Sequence, residues 1–382
     1  MRNVTILNET MGNGTIRNGT LRNGTMRNVT KATVGLASSL IILSGAMATT
    51  TQAASDNLVS VKTDSRIILD GVIEPAWEKA SVLEITLDEL PYEANNYSGM
   101  ESTRVQMKSL YDDHAVYFLI QYDDPTKSLA RYPWEKQADG SWKQLKGKDQ
   151  TGHDNVYYED KFGFFWDINA SDFDKKGCYA ACHMQNAQGK IAGIDQRGLA
   201  PGRKYTQASQ TIDMWHWKSV RMNPLGLIDD QYVDDVTNPQ VNKNWGRHGD
   251  SKTGGGYVDN MNADKTAPAF MNRSQGNVDG FTITPSQQTP FVDTFKPGDR
   301  LPGIIAEPFT GSRGDIWAKG DWQDGKWTIE IKRALVTTGD KAEIQDVQFS
   351  DLSKTYYFGI SVFDNSQINH LYHGGALSFT FQ

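Results

Sequence analysis

"GKWTIEIKRAL", residues 325–335, sets Ile329 and Ile331 against Glu330 and Lys332 with a period of two. Successive side chains of a strand point to opposite faces, so this pattern describes a sheet with one side on an apolar core and the other toward water. The same short, β-branched or aromatic texture, broken by Asp, Gly and Pro, returns in "RVQMKSLY" (104–111), "HAVYFLIQYDD" (114–124), "EDKFGFFWDI" (159–168), "TYYFGISVFDN" (355–365) and "GALSFTF" (375–381). Together these segments predict an all-β fold, an antiparallel β-sandwich with long loops and a few short helices, and not a doubly wound α/β sheet. The clearest helix is "EPAWEKAS" (74–81), short and led by Pro75 in its first turn. From about Asp234 to Pro290 the chain turns rich in Gly, Asn and Thr with few strand signals, which predicts a long functional or mobile loop.

Three segments precede or make up the folded part. Residues 1–25 repeat a pentamer ("MRNVT", "ILNET", "MGNGT", "IRNGT", "LRNGT") with too little apolar content to form a core, and read as a tandem repeat upstream of a true start at Met26. Residues 26–54 then read as a signal peptide: basic Arg27 and Lys31, the apolar run "VGLASSLIILSGAMA", and small residues at "AMA" or "TQAA". The run is shorter than the ~20 apolar residues of a membrane span, so export to the periplasm is the expectation. Residues 55–382 form the expected sandwich domain. The whole chain has 39 Lys and Arg against 46 Asp and Glu, and losing the basic leader makes it more acidic. That balance argues against nucleic acid or an anionic membrane surface as partner.

Both cysteines lie in "KKGCYAACHMQN" (175–186), where Cys178 and Cys182 stand four apart and His183 follows directly. In an exported protein such thiols form a disulfide, bind metal, or become thioethers to haem with the adjoining His on the iron. A disulfide would close a loop too short to remove much chain entropy and would leave His183 unexplained. Zinc needs two further ligands, and there is no second Cys pair. Covalent haem accounts for all three residues, although the usual spacing is C-x-x-C-H and here one more residue must bulge out.

The other side of the iron has several candidates. In "DMWHWKSVR" (213–221) a strand puts His216 and Lys218 on one face and Trp215 and Trp217 on the other, which makes His216 the first candidate for the distal ligand. Lys218 is the alternative and would have to give up its proton to bind iron. Met214 and Met222 are near in sequence, and a thioether there would raise the potential. His370 and His373, in "NSQINHLYH" (365–373), belong to a loop that can line the same pocket. Asp172 and Asp174 lack the spacing of a calcium loop and read as turn residues. No Gly-rich phosphate loop or nucleophile elbow is apparent, so the chain reads as an electron carrier more than as a catalyst.

The succession "ILDGVIEPAWEKA", "VYFLIQYDDPT", "EDKFGFFW", "KGCYAACH", "DMWHWKSVRMNPLGLIDD", "WQDGKWTIEIKRAL" and "YYFGISVFDN" resembles the haem-binding family typified by the gamma subunit of ethylbenzene dehydrogenase, over about residues 58–382. The resemblance implies a β-sandwich haem domain in electron transfer, in some relatives beside a molybdenum enzyme of the dimethyl-sulfoxide-reductase type and its iron–sulfur subunit. It also implies a lysine ligand at the place of Lys218, because the gamma subunits hold a non-covalent haem b between Met and Lys. Cys178, Cys182 and His183 depart from that pattern and are similar to a c-type branch with one covalent haem c and a quinol-linked donor or redox enzyme as partner. A second reading, of another class, comes from the "LDG…W" opening and the "VYFLIQYDD" strand, which also resemble secreted carbohydrate-binding sandwiches. In that reading Trp134, Trp142 or Trp245 would be stacking platforms for sugars.

Overall fold

The computed structural model of the chain describes residues 56–182, 190–191, 194–195, 203–272 and 282–382. The repeat, the signal segment and His183 lie outside the described residues, and no helix among those described is long and apolar enough to cross a membrane.

Thirteen strands hydrogen-bond into one sheet. In chain order they are β1 (Asn57–Lys62), β2 (Leu83–Leu87), β3 (Thr103–Tyr111), β4 (Ala115–Asp123), β5 (Lys161–Asp167), β6 (Ile212–Lys218), β7 (Asp229–Val233), β8 (Arg247–Gly249), β9 (Trp317–Gln323), β10 (Lys326–Ala334), β11 (Tyr356–Phe363), β12 (Leu371–Tyr372) and β13 (Leu377–Phe381). The path runs β8-β7-β6-β5-β11-β13-β1-β3-β4-β10-β9, with β2 on β3 and β12 on β11. The sheet closes over its own apolar face into a β-sandwich: Phe118 of β4 meets Phe164 of β5 at 5.6 Å and Trp215 of β6 at 5.8 Å, and Trp217 of β6 meets Trp327 of β10 at 5.0 Å between ring centres. Pairing is antiparallel except at β1, which runs parallel to both β13 and β3.

The segment at Pro75–Lys79 is a single 3₁₀ turn that buries Trp77, so the expected helix is present and short. The stretch from Asp234 to Pro290 differs from expectation. It contains short strands at Gly254–Asp259 and Phe270–Asn272 besides β8, because the first of these pairs with Ile304–Thr310, far along the chain, and not with a neighbour in sequence.

Candidate functional site

The outward face of β5, β6 and β11 forms the floor of the site. The register sets three rows across it: Met214, Phe165 and Gly359; then His216, Gly163 and Ser361; then Lys218, Lys161 and Phe363. Every residue of β6 is buried, so the alternation expected of "DMWHWKS" separates two buried faces and not a wet face from a dry one. Small residues at 163, 359 and 361 leave the floor low.

Over the first row sits the loop with both cysteines. Asp172 is salt-bridged to Lys176 at 3.0 Å and precedes a four-residue helix, Phe173–Lys176, with a left-handed backbone at φ +62°, in keeping with its reading as a turn residue. Gly177 then turns the chain at φ +51°, where a side chain would collide with the Gly375 carbonyl. One further turn follows, closed by the Cys182 N–H donating to the Cys178 carbonyl at 2.7 Å. Both thiols are free and buried. Cys178 lies directly above Gly359, since any side chain added at 359 would run into its Sγ, and burial pushes its thiol well above the ordinary range.

Cys178, Cys182, Met214, His216 and His370 line one cavity. His216 is 8% exposed, and its Nε2 has no hydrogen-bond partner among the described residues. Burial first, then the positive charges of Lys218, Lys161 and Arg247, hold that imidazole well below its usual pKa, so it is neutral at pH 7. Its Nδ1 lies 3.4 Å from Nη2 of Arg247.

His370 was only a pocket-lining candidate on sequence, and the structure raises its standing. Its Nδ1 is 2.6 Å from the Ile368 carbonyl oxygen, an acceptor only, so Nδ1 carries the proton and the lone pair is on Nε2. Burial pushes it down to about 3. The signal that singles it out is this backbone contact, which no sequence spacing encodes.

Lys218 lies one step along β6 from His216 and does not line the cavity. Its ammonium is ion-paired to Asp229, fully buried on β7, which Arg313 also holds at 2.6 Å. Burial lowers the Lys218 pKa while Asp229 opposes that shift. Met222 is buried away from the cavity, and the Nδ1 of His373 is 3.1 Å from the Gly375 carbonyl oxygen. Trp134 and Trp142 are buried against Leu301 in a satellite core, and Trp245 is half-buried with the Arg203 guanidinium 4.1 Å from its ring and Tyr205 stacked at 5.9 Å. Two of the three expected sugar platforms therefore have no open ring face.

The donor set suits a porphyrin with two thioether links: two buried thiols, neutral buried imidazoles, and a low apolar floor of Phe165, Gly359 and Met214. The family model described as ethylbenzene dehydrogenase matches residues 74–375. No curated protein sequence matches the chain. Among solved structures the chain is similar to a family 9 carbohydrate-binding module from Caldicellulosiruptor kristjanssonii in complex with glucose, at 9% identity and a TM-score of 0.32, covering 85% of this chain and 95% of that one. A putative carbohydrate-binding protein from Bacteroides uniformis ATCC 8492 gives 8% identity and a TM-score of 0.32, covering 85% and 99%.

Proposed function

The chain belongs to the ethylbenzene dehydrogenase family, and from that premise we propose that it is a periplasmic monohaem c-type cytochrome, an electron-transfer subunit or partner of a molybdenum enzyme. Cys178 and Cys182 would carry the thioethers and His183, next in the chain, would be the proximal ligand. Haem, when bound, supplies a one-electron ferric–ferrous couple, so the chain would take one electron from a donor such as a quinol-linked protein and pass it to a redox enzyme, or the reverse.

The observation that carries the reading is the orphaned, buried Nε2 of His216 in a cavity shared with both thiols. A buried polar atom without a partner is costly, and coordination to iron would satisfy it. Lys218 is the weaker distal candidate because Asp229 favours its charged form, and an amine binds iron only when neutral. His370 is the runner-up, since its lone pair is already on Nε2. The buried floor and walls would keep water from the ring and so tune its potential.

A pyridine haemochrome assay on the exported protein tests the proposal. The c-type spectrum with one haem per chain is expected, while a colourless protein would sink the reading and leave the carbohydrate-binding alternative. His216→Ala is expected to abolish the low-spin spectrum seen by magnetic circular dichroism; a spectrum lost in His370→Ala alone would move the ligand to His370.

A further inference from the structure

The cavity with the thiols adjoins a second compartment, and the two share His216, Arg247, Gln367 and Ile368 as walls. The second compartment is basic. Arg131, Lys161, Arg221, Arg247 and Arg313 line it, with Lys218 close by on the same face, whereas the acids engaged there are Glu159, bound to Arg221, Asp229, bound to Lys218 and Arg313, and Asp234, 3.0 Å from His248. Arg131 Nε and Nη1 are buried with no hydrogen-bond partner among the described residues. Lys161 is 1% exposed; its ammonium donates to the Gln367 carbonyl at 2.8 Å and lies over the rings of Phe363 and Tyr158. The phenol of Tyr257, beside Lys218 and Arg221, is pulled down to about 8 by those cations. Burial, then the charge of Arg221, pushes Lys161 well below its ordinary range, so a full complement of positive charge is held here only with an anion to meet it.

Position supplies the second argument. Along β5 and β6 the rows run from the cysteine end (Gly359, Phe165, Met214), through His216 and Gly163, to Lys161 and Lys218, each step being about 6.8 Å. A haem has the same polarity: vinyl groups, which become the thioethers, on one side of the ring, iron at the centre, and two carboxylates on the opposite side. We infer that the basic compartment is the site for the two haem carboxylates, with Arg131, Lys161 and Arg247 as their partners. This rests on the haem reading above. It also resolves a conflict at His216: an Nε2 that binds iron requires the proton on Nδ1, so Arg247 must turn from Nδ1 to another acceptor, and a carboxylate in this compartment is that acceptor.

The test is redox titration of the holoprotein and its Arg131→Gln and Arg247→Gln variants, with haem content measured on the same samples. Arg131→Gln strands no buried charge, although it gives up contacts with the Tyr132 and Tyr158 rings at 3.9 and 4.8 Å, so it is expected to fold with a modest loss of thermal stability. Both variants are expected to keep the covalent haem and to have a lower midpoint potential, because losing a nearby positive charge eases oxidation of the iron, and Arg131→Lys should restore most of it. Unmoved potentials in both variants at full haem content would overturn this inference alone, whereas no haem in the wild type would overturn the parent reading and this inference with it. A separate arm needs no variant: calorimetric titration of the wild-type holoprotein with inorganic phosphate and with succinate. No saturable binding is expected with the compartment filled, and saturable binding that Arg131→Gln weakens about tenfold would assign the compartment to a free anion instead.

Discussion

Strand β6 presents two faces that are equally buried and otherwise opposite. On one, Trp215 and Trp217 are fully enclosed, Trp215 within 5.3 Å of both Phe164 and Trp166. On the other, Met214, His216 and Lys218 are enclosed just as well, yet carry an orphaned nitrogen and an ion pair. The aromatic face also buries an unpartnered polar atom among the described residues, Nε1 of Trp217, but its stabilisation comes from apolar area removed from water. The polar face is incomplete without a ligand. The rigidity of the first is what fixes the geometry of the second, because consecutive residues of a strand, one on each face, share one backbone and cannot move independently.

The largest test of that contrast is a pair of alanines on adjacent residues. Trp215→Ala should cost about 3–5 kcal/mol in urea denaturation, the range for deleting a buried aromatic. His216→Ala should cost far less stability, because it removes a buried imidazole whose Nε2 has no partner among the described residues, while destroying the haem spectrum. Equal stability losses would mean that the polar face is part of the core.

Next in size is the glycine floor. Gly359→Val drives a side chain into the Cys178 Sγ, so it should cost about 1–3 kcal/mol and lower the yield of attached haem. Gly163→Val meets mainly the movable Ser361 hydroxyl, at 2.8 Å, and should be milder in both readings, stability and haem yield. Matching haem yields from the two would remove Cys178 from its assigned place over Gly359.

The aromatic face was legible in advance, and the polar face only in part. Alternation in "GKWTIEIKRAL" and "DMWHWKS" is local, because the period of a strand is written in consecutive residues, so β10 and β6 and the split of His216 and Lys218 from the tryptophans follow from the sequence. The basic compartment is not local. Arg131, Lys161, Arg221, Arg247 and Arg313 come from five separate stretches of a chain with an overall charge of −7, so no charge run announces them. The strand Gly254–Asp259 was missed for a related reason: its glycines carry no side-chain pattern, and its partner Ile304–Thr310 lies across a long connection. His370 depends on a backbone carbonyl, which has no letter in the sequence.

Acidity and basicity also divide between the faces, which predicts opposite pH slopes. On the core side burial raises Asp213 to about 8, and burial with the neighbouring Asp346 raises Asp250 to about 9. Those carboxyls hold protons that the unfolded chain releases near pH 4, so their contribution is lost as pH rises toward their folded values. On the site side His216 and His370 are depressed, so the unfolded chain binds protons that the folded chain refuses, and stability is lost as pH falls below about 6.5. Thermal unfolding in EDTA should therefore show stability falling as pH rises from 7 to 9, with Asp250→Asn flattening that limb and His370→Ala reducing the loss below pH 6.5. A melting temperature that still climbs between pH 7 and 9 would contradict the assignment of the core-side acids.

The smallest expected effect concerns Lys218, and it separates the two faces' logic within one residue. As a distal ligand Lys218 would be indispensable to the spectrum. As the partner of Asp229 it is a structural charge whose removal leaves Asp229 still held by Arg313 at 2.6 Å. Removing one member of a buried pair is severe when the other is stranded, and here it is not. Lys218→Met should therefore cost only about 1 kcal/mol, fill most of the vacated volume with an apolar chain, and leave the low-spin haem spectrum as it was. If the methionine variant instead showed a changed axial ligand field while His216→Ala did not, the amine would be the ligand, Asp229 would be a base that gives way on haem binding, and the polar face would have to be reread with its centre one row closer to the basic compartment.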